Sequence, residues 1–159
     1  MGAVSTALVT ALLLVEAVGR TTPATRRRGG EGPVPEVLSP KDEEHVPRKN
    51  LDPSCPDEGP CKAVLVRART SPGTWPFLVV APLSDAPNMW VQPLAGQVKR
   101  DSTFSGFVYL GTNDRGAGQR FNILVLACKD RKKLAEGQVL IELPFDCLAS
   151  DPVTVVRDR

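Results

Sequence analysis

From residue 61 onward, apolar and polar positions alternate in short runs about ten residues apart, with Pro, Gly, Asn and Asp between them. That spacing is the signature of an antiparallel sandwich or barrel. In Ala63-Val64-Leu65-Val66-Arg67-Ala68-Arg69, Val64, Val66 and Ala68 share one face of a strand, and Arg67 and Arg69 share the other. Ser71-Pro72-Gly73 turns the chain into Phe77-Leu78-Val79-Val80-Ala81, and Asp85-Ala86-Pro87 turns it again into Met89-Trp90-Val91-Gln92. Phe104 to Leu110 alternates once more, and Gly111 to Gly118 reads as a hairpin connection into Phe121-Asn122-Ile123-Leu124-Val125-Leu126-Ala127-Cys128. That last run is apolar at nearly every position, so it predicts a central strand buried on both sides. Gln138 to Leu143 and Val153 to Val156 complete the set, and Lys129 to Gly137 predicts a short helical insertion stopped by Gly137. The expected fold is all-β, an antiparallel sandwich of about seven strands over about 100 residues.

The front of the chain has a different texture. Residues 2–19 hold one acid, Glu16, and no base, and the apolar stretch Ala7 to Val15 ends before the small residues Ala17-Val18-Gly19. This matches either a secretory signal peptide cut after Gly19 or a retained membrane anchor followed by Arg20 and Arg26-Arg27-Arg28. Residues 20–60 carry eight of the 15 prolines with short runs of mixed charge. Such a stretch buries too little apolar surface to offset chain ordering, so it predicts a largely disordered spacer. Three parts follow: residues 1–19 as signal or anchor, 20–60 as linker, and 61–159 as sandwich.

Composition narrows the chemistry. Lys and Arg number 20 against 18 Asp and Glu, a balance too even for an electrostatic grip on nucleic acid. The one histidine, His45, lies in the expected linker, away from any fixed geometry a general base needs. Without it, Ser71, Ser84, Ser102 and Ser105 lack a histidine base, and Lys99 is a formal basic partner for serine chemistry. Glu136, Glu142, Asp101 and Asp146 are the carboxylates available to a hydrolase, and nothing local sets two of them across a cleft. Gly116-Ala117-Gly118 precedes a strand rather than opening a helix, which removes the nucleotide-binding reading. The run Lys129, Arg131, Lys132, Lys133 reads as a solvated face. No cofactor and no metal is expected.

The four cysteines, Cys55, Cys61, Cys128 and Cys147, show no C-x-x-C spacing. Two disulfides account for them, most simply Cys55–Cys61 and Cys128–Cys147, although three pairings exist and a zinc site of four thiolates competes. Disulfides point to an oxidising compartment. Trp75, Trp90 and Tyr109 form a candidate stacking platform for sugar or peptide, with core packing the competing account of Trp90.

Trp90-Val91-Gln92-Pro93, the string from Asp101 through Ser105-Gly106-Phe107-Val108-Tyr109-Leu110-Gly111, and Gly118-Gln119-Arg120-Phe121-Asn122-Ile123 together resemble a bacterial extracytoplasmic immunoglobulin-like module. Phe104 stands where that module usually carries Trp, and the four cysteines are a departure from it. The resemblance covers residues 61–158 and implies an immunoglobulin-like sandwich displayed outside the membrane. It brings no catalytic residues. The functional expectation is a non-catalytic binding or structural module, secreted or membrane-anchored, that touches the membrane only through its N-terminal segment. Its partner would be a protein or glycan, met by Trp75, Trp90, Tyr109, Asn113, Asp114 and Arg115. Two alternatives stand beside it: a secreted inhibitor that inserts the Gly111–Gly118 loop into an enzyme's cleft, and a small carboxylate-dependent hydrolase.

Overall fold

The computed structural model describes residues 33–47, 49–50, 62–93, 96–111 and 116–158. The expected signal or anchor segment, Cys55, Cys61 and Asn113, Asp114 and Arg115 lie outside the described residues. Among the described residues there is no α-helix, and no helix long and apolar enough to cross a membrane. Two sheets face each other, mostly antiparallel.

The smaller sheet is built on β4 (Lys62–Arg69). Along Val64 to Arg69 it pairs with β7 (Thr103–Val108), so that Val66 stands opposite Gly106 and Leu65 opposite Phe107. β1 (Glu36–Ser39) pairs with the end of β4, and β3 (Lys49–Asn50) with its start. The larger sheet is centred on β8 (Arg120–Cys128). On one side of it runs β5 (Trp75–Pro82), followed outward by β6 (Met89–Val91) and β9 (Val139–Leu140). On the other side lie β10 (Cys147–Ala149), against the end of β8, and β11 (Val153–Arg157), against its start. β2 (Glu44–Val46) adds to β11 in parallel.

Each of the seven expected runs carries a strand, and β8 has the double burial its composition demands. Phe121, Ile123 and Val125 point between the sheets, where they meet Val66, Phe104, Val108 and Val155. Leu126 and Cys128 point to the outer face, where Phe77, Val79 and Val91 from β5 and β6 join Leu134 and Leu140. The period of two along β5 and β8 thus feeds two separate cores.

Three expectations need correction. The ordered body begins well before residue 61: β1 and β2 fall inside the stretch expected to be spacer, with Val37 and Val46 buried in the main core. Short edge strands between prolines carry no alternation to read, and their stability comes from partners distant in sequence. Glu43 N–H donates to Thr154 O (2.7 Å), Thr154 N–H to an Asp42 carboxylate oxygen (2.8 Å), and Asp158 N–H to Val46 O (3.1 Å). Residues 129–137 form turns rather than a helix, because side chains capture the backbone locally. The Asp130 carboxylate accepts the Lys132 N–H at 2.8 Å, and Gln138 Oε1 accepts the Ala135 N–H at 3.0 Å. Finally, Gly111 to Gly118 is not a hairpin: β7 and β8 belong to different sheets, so this connection leads from one to the other.

A candidate binding groove between Trp90 and Tyr109

β5 ends at Pro82, and a 3₁₀ turn, Leu83–Asp85, reverses the chain. Asn88 closes the reversal: its N–H donates to Asp85 O (3.0 Å) and its side-chain amide to an Asp85 carboxylate oxygen (3.3 Å). β6 then runs back with Trp90 opposite Val80 and Val91 opposite Val79. Val91 is buried in the outer core, so alternation sends Trp90 and Gln92 to the opposite face, beside the mouth of the sandwich.

Gln92 joins the two sheets there. Its side chain is nearly buried, at 7% exposure. Nε2 donates to Trp90 O (3.1 Å), while Oε1 accepts the N–H of Tyr109 (2.7 Å), the residue that follows β7. One amide therefore fixes the backbone of both aromatic residues, and both rings are left half-buried. Together they line a groove of ≈ 530 Å³ with Val80, Phe121, Pro82 and Pro93, and with the carboxylates Asp85 and Glu136. An apolar concavity with few polar groups is the usual form of a ligand site. Gly111, also in the lining, takes φ +74°, a left-handed conformation that any side chain would strain.

No family model, no curated protein and no solved structure matches this chain. The site therefore has to be read from its own residues.

Of the six residues expected to make a binding surface, Trp90 and Tyr109 come together. Trp75 does not join them. It sits at the other end of β5, 46% exposed, with the Arg131 guanidinium 5.2 Å from its ring centre. There it lines a separate hollow of ≈ 680 Å³ with Gly73, Thr74 and Val98. Cys128 and Cys147 are register partners and are bonded, S–S 2.02 Å. A zinc site using all four thiolates is incompatible with that bond.

Of the carboxylates weighed for hydrolysis, Glu136 alone lines the groove. Asp101 accepts both the hydroxyl (2.6 Å) and the N–H (3.0 Å) of Thr103, and these bonds hold its carboxyl below its ordinary range. Asp146 pairs with Lys133 at 2.9 Å and is lowered by that partner. Lys133 also stands 5.8 Å from the centre of the Phe145 ring, so two cations of the basic run are engaged with aromatic rings. His45 lies exposed on β2, its Nδ1 3.2 Å from Asp158. Sequence reading missed Asp85 and Gln92 as site residues and weighed Glu136 only as a hydrolase carboxylate. For Gln92 a signal existed, since it falls two positions after Trp90 and shares its face.

Proposed function

We propose that this chain is a non-catalytic binding module of the immunoglobulin-like type that works outside the membrane and grips its partner in the Trp90–Tyr109 groove. One observation carries the reading: two aromatic residues from different sheets line one largely apolar groove, and a nearly buried amide ties their backbones together. Trp and Tyr held this way lose little freedom on binding and bring a large apolar area, which is why they dominate interface energetics. The Cys128–Cys147 bond supports an oxidising compartment. A rigid sandwich with its groove at the junction of two sheets suits recognition of a peptide or glycan.

The test uses peptide and glycan arrays probed with the full chain and with its Trp90→Ala and Tyr109→Ala variants. Spots bound by the native chain should weaken by roughly 30-fold in either variant, the loss expected of an interface hot spot. Unchanged binding by variants that keep the native disulfide would overturn the assignment. Intact-mass measurement of exported protein without reductant tests location. The expected masses show oxidised cysteines, and an intracellular, fully reduced product would contradict the proposal.

A further inference from the structure

Strand register gathers one end of the sandwich, away from the Trp90–Tyr109 groove. Trp75 starts β5 opposite Cys128, and Cys128 is bonded to Cys147, so β5, β8 and β10 reach that end together. The smaller sheet reaches it through Arg69 and its partner Thr103, because only Thr70 to Thr74 separate β4 from β5. The hydroxyls of Thr70 and Thr74 meet there at 2.9 Å. At the rise of an extended strand, the eight residues of β5 set this end about 23 Å from Pro82 and the groove.

Two aromatic rings are exposed at it. Trp75 is nearly half exposed, and Phe145 is 87% exposed in the turn that the Cys147 N–H closes on Pro144 O at 3.2 Å. Each ring has a cation beside it, Arg131 at Trp75 and Lys133 at Phe145. Lys129 and Lys132 lie exposed in the same segment. Arg69 ends β4, and Lys99 and Arg100 precede β7, with the Lys99 N–H donating to Thr103 O at 2.8 Å. Among the described residues, four acids stand with these seven cations. Glu36 is paired with Arg69, Asp146 with Lys133, Asp101 accepts from Thr103, and Asp130 accepts the Lys132 N–H. The end is net positive.

The chain also enters the body here. Pro33 is the first described residue, and its carbonyl accepts the Ser71 hydroxyl at 2.7 Å. The sequence before it holds the apolar stretch Ala7 to Val15 and the bases Arg26-Arg27-Arg28. Exposed rings with cations beside them suit the headgroup zone of a bilayer, where the ring reaches apolar depth and the charge stays with the phosphates. A net positive surface is drawn to anionic lipid.

We propose that the Trp75–Phe145 end of the sandwich seats on an anionic lipid surface, with both rings at the level of the headgroups. This contact is made by the folded body, apart from any that residues 1–19 make. It leaves the groove at the far end of β5 facing water, whatever the groove binds, and it stands or falls without that reading.

Trp75 and Trp90 are the two tryptophans of the chain, so each can be left as sole reporter. Full-length Trp90→Phe and Trp75→Phe chains are mixed with vesicles of equimolar phosphatidylcholine and phosphatidylglycerol carrying bromine on their acyl chains. Trp75 emission should shift to the blue and lose at least half its intensity, while Trp90 keeps its own. Binding should weaken at least tenfold in the Lys129→Glu/Lys132→Glu chain, in the Phe145→Ser chain, and on vesicles of phosphatidylcholine alone. Vesicle binding that leaves Trp75 unquenched would trace to the N-terminal segment and overturn the proposal. Quenching of Trp90 to the same degree, or equal binding to vesicles without phosphatidylglycerol, would overturn it too. So would binding untouched by both variants, or binding to heparin with no response to vesicles.

Discussion

The two hydrophobic clusters lie on opposite faces of the same pair of strands, β5 and β8, yet they are closed in different ways. Between the sheets, Leu78, Val80, Phe121 and Ile123 meet a second regular surface, and alternation alone aligns the partners. On the outer face, Phe77, Val79, Val91, Leu126 and Cys128 meet no second sheet among the described residues. The buried residues that cover them are Leu134 from a turn segment and Leu140 from the two-residue strand β9. That cover is pinned at points: the Cys128–Cys147 bond, Arg131 on Trp75, Lys133 on Asp146, and the Gly137 N–H donated to Val91 O at 2.9 Å. Where backbone ladders cannot close a core, covalent and polar fastenings take their place. The groove sits where these two regimes meet, since Val80 and Phe121 come from the first and Glu136 from the second.

The largest effect should come from the regular core. Phe104→Ala should lower unfolding free energy by about 3–5 kcal/mol in urea titrations. A loss under about 1 kcal/mol, within the range of ordinary surface changes, would show that the sheets do not close over this ring. Replacing Cys128 and Cys147 together by Ala should cost about 3 kcal/mol, the entropy of a loop of this length. Hydrogen exchange should then accelerate between residues 129 and 149 while β4 and β7 keep their protection. Equal acceleration everywhere would erase the distinction between the clusters. Leu134→Ala should cost about 2 kcal/mol, at the low end for a buried leucine, because the irregular cover can settle into the space.

Gln92→Ala should cost about 1 kcal/mol by leaving the Tyr109 N–H without its acceptor, and in a Trp75→Phe background the emission of Trp90 should shift to the red. An unshifted spectrum would show that the groove does not depend on this amide. Smallest of all is Asp146→Asn. The folded carboxyl is held low by Lys133, so its contribution is present above the unfolded pKa and fades as pH falls through the folded one. The variant's stability should therefore fall less steeply on acidification below about pH 4. A slope identical to the native chain's would show the pair to be inert.

The regular half of this molecule was legible because β4 alternates with a period of two and β8 is apolar at nearly every position, and the cover was not. The Asp130 and Gln138 side chains decide the path of residues 129–138, and nothing in the charge run announces those bonds. β2 was hidden for a related reason. Its stability depends on Val155 and Arg157, at the other end of the chain, and on an ion pair between Glu43 and Arg120. Consecutive strands usually pair, which is why Gly111 to Gly118 looked like a hairpin. The aromatic residues of the site were visible as residue types. Their convergence was not, because it requires Gln92 to span two sheets whose facing is a tertiary fact. Trp75 shared the same composition signal and was drawn to the opposite end of β5.

The parallel seating of β2 on β11 also governs how the body answers to force. Tension that draws the Glu44 side and the Arg157 side apart runs along both strands in opposite senses. The bonds of that seam then share the load and must yield together, as in a lap joint, whereas an antiparallel edge pulled from one end would peel bond by bond.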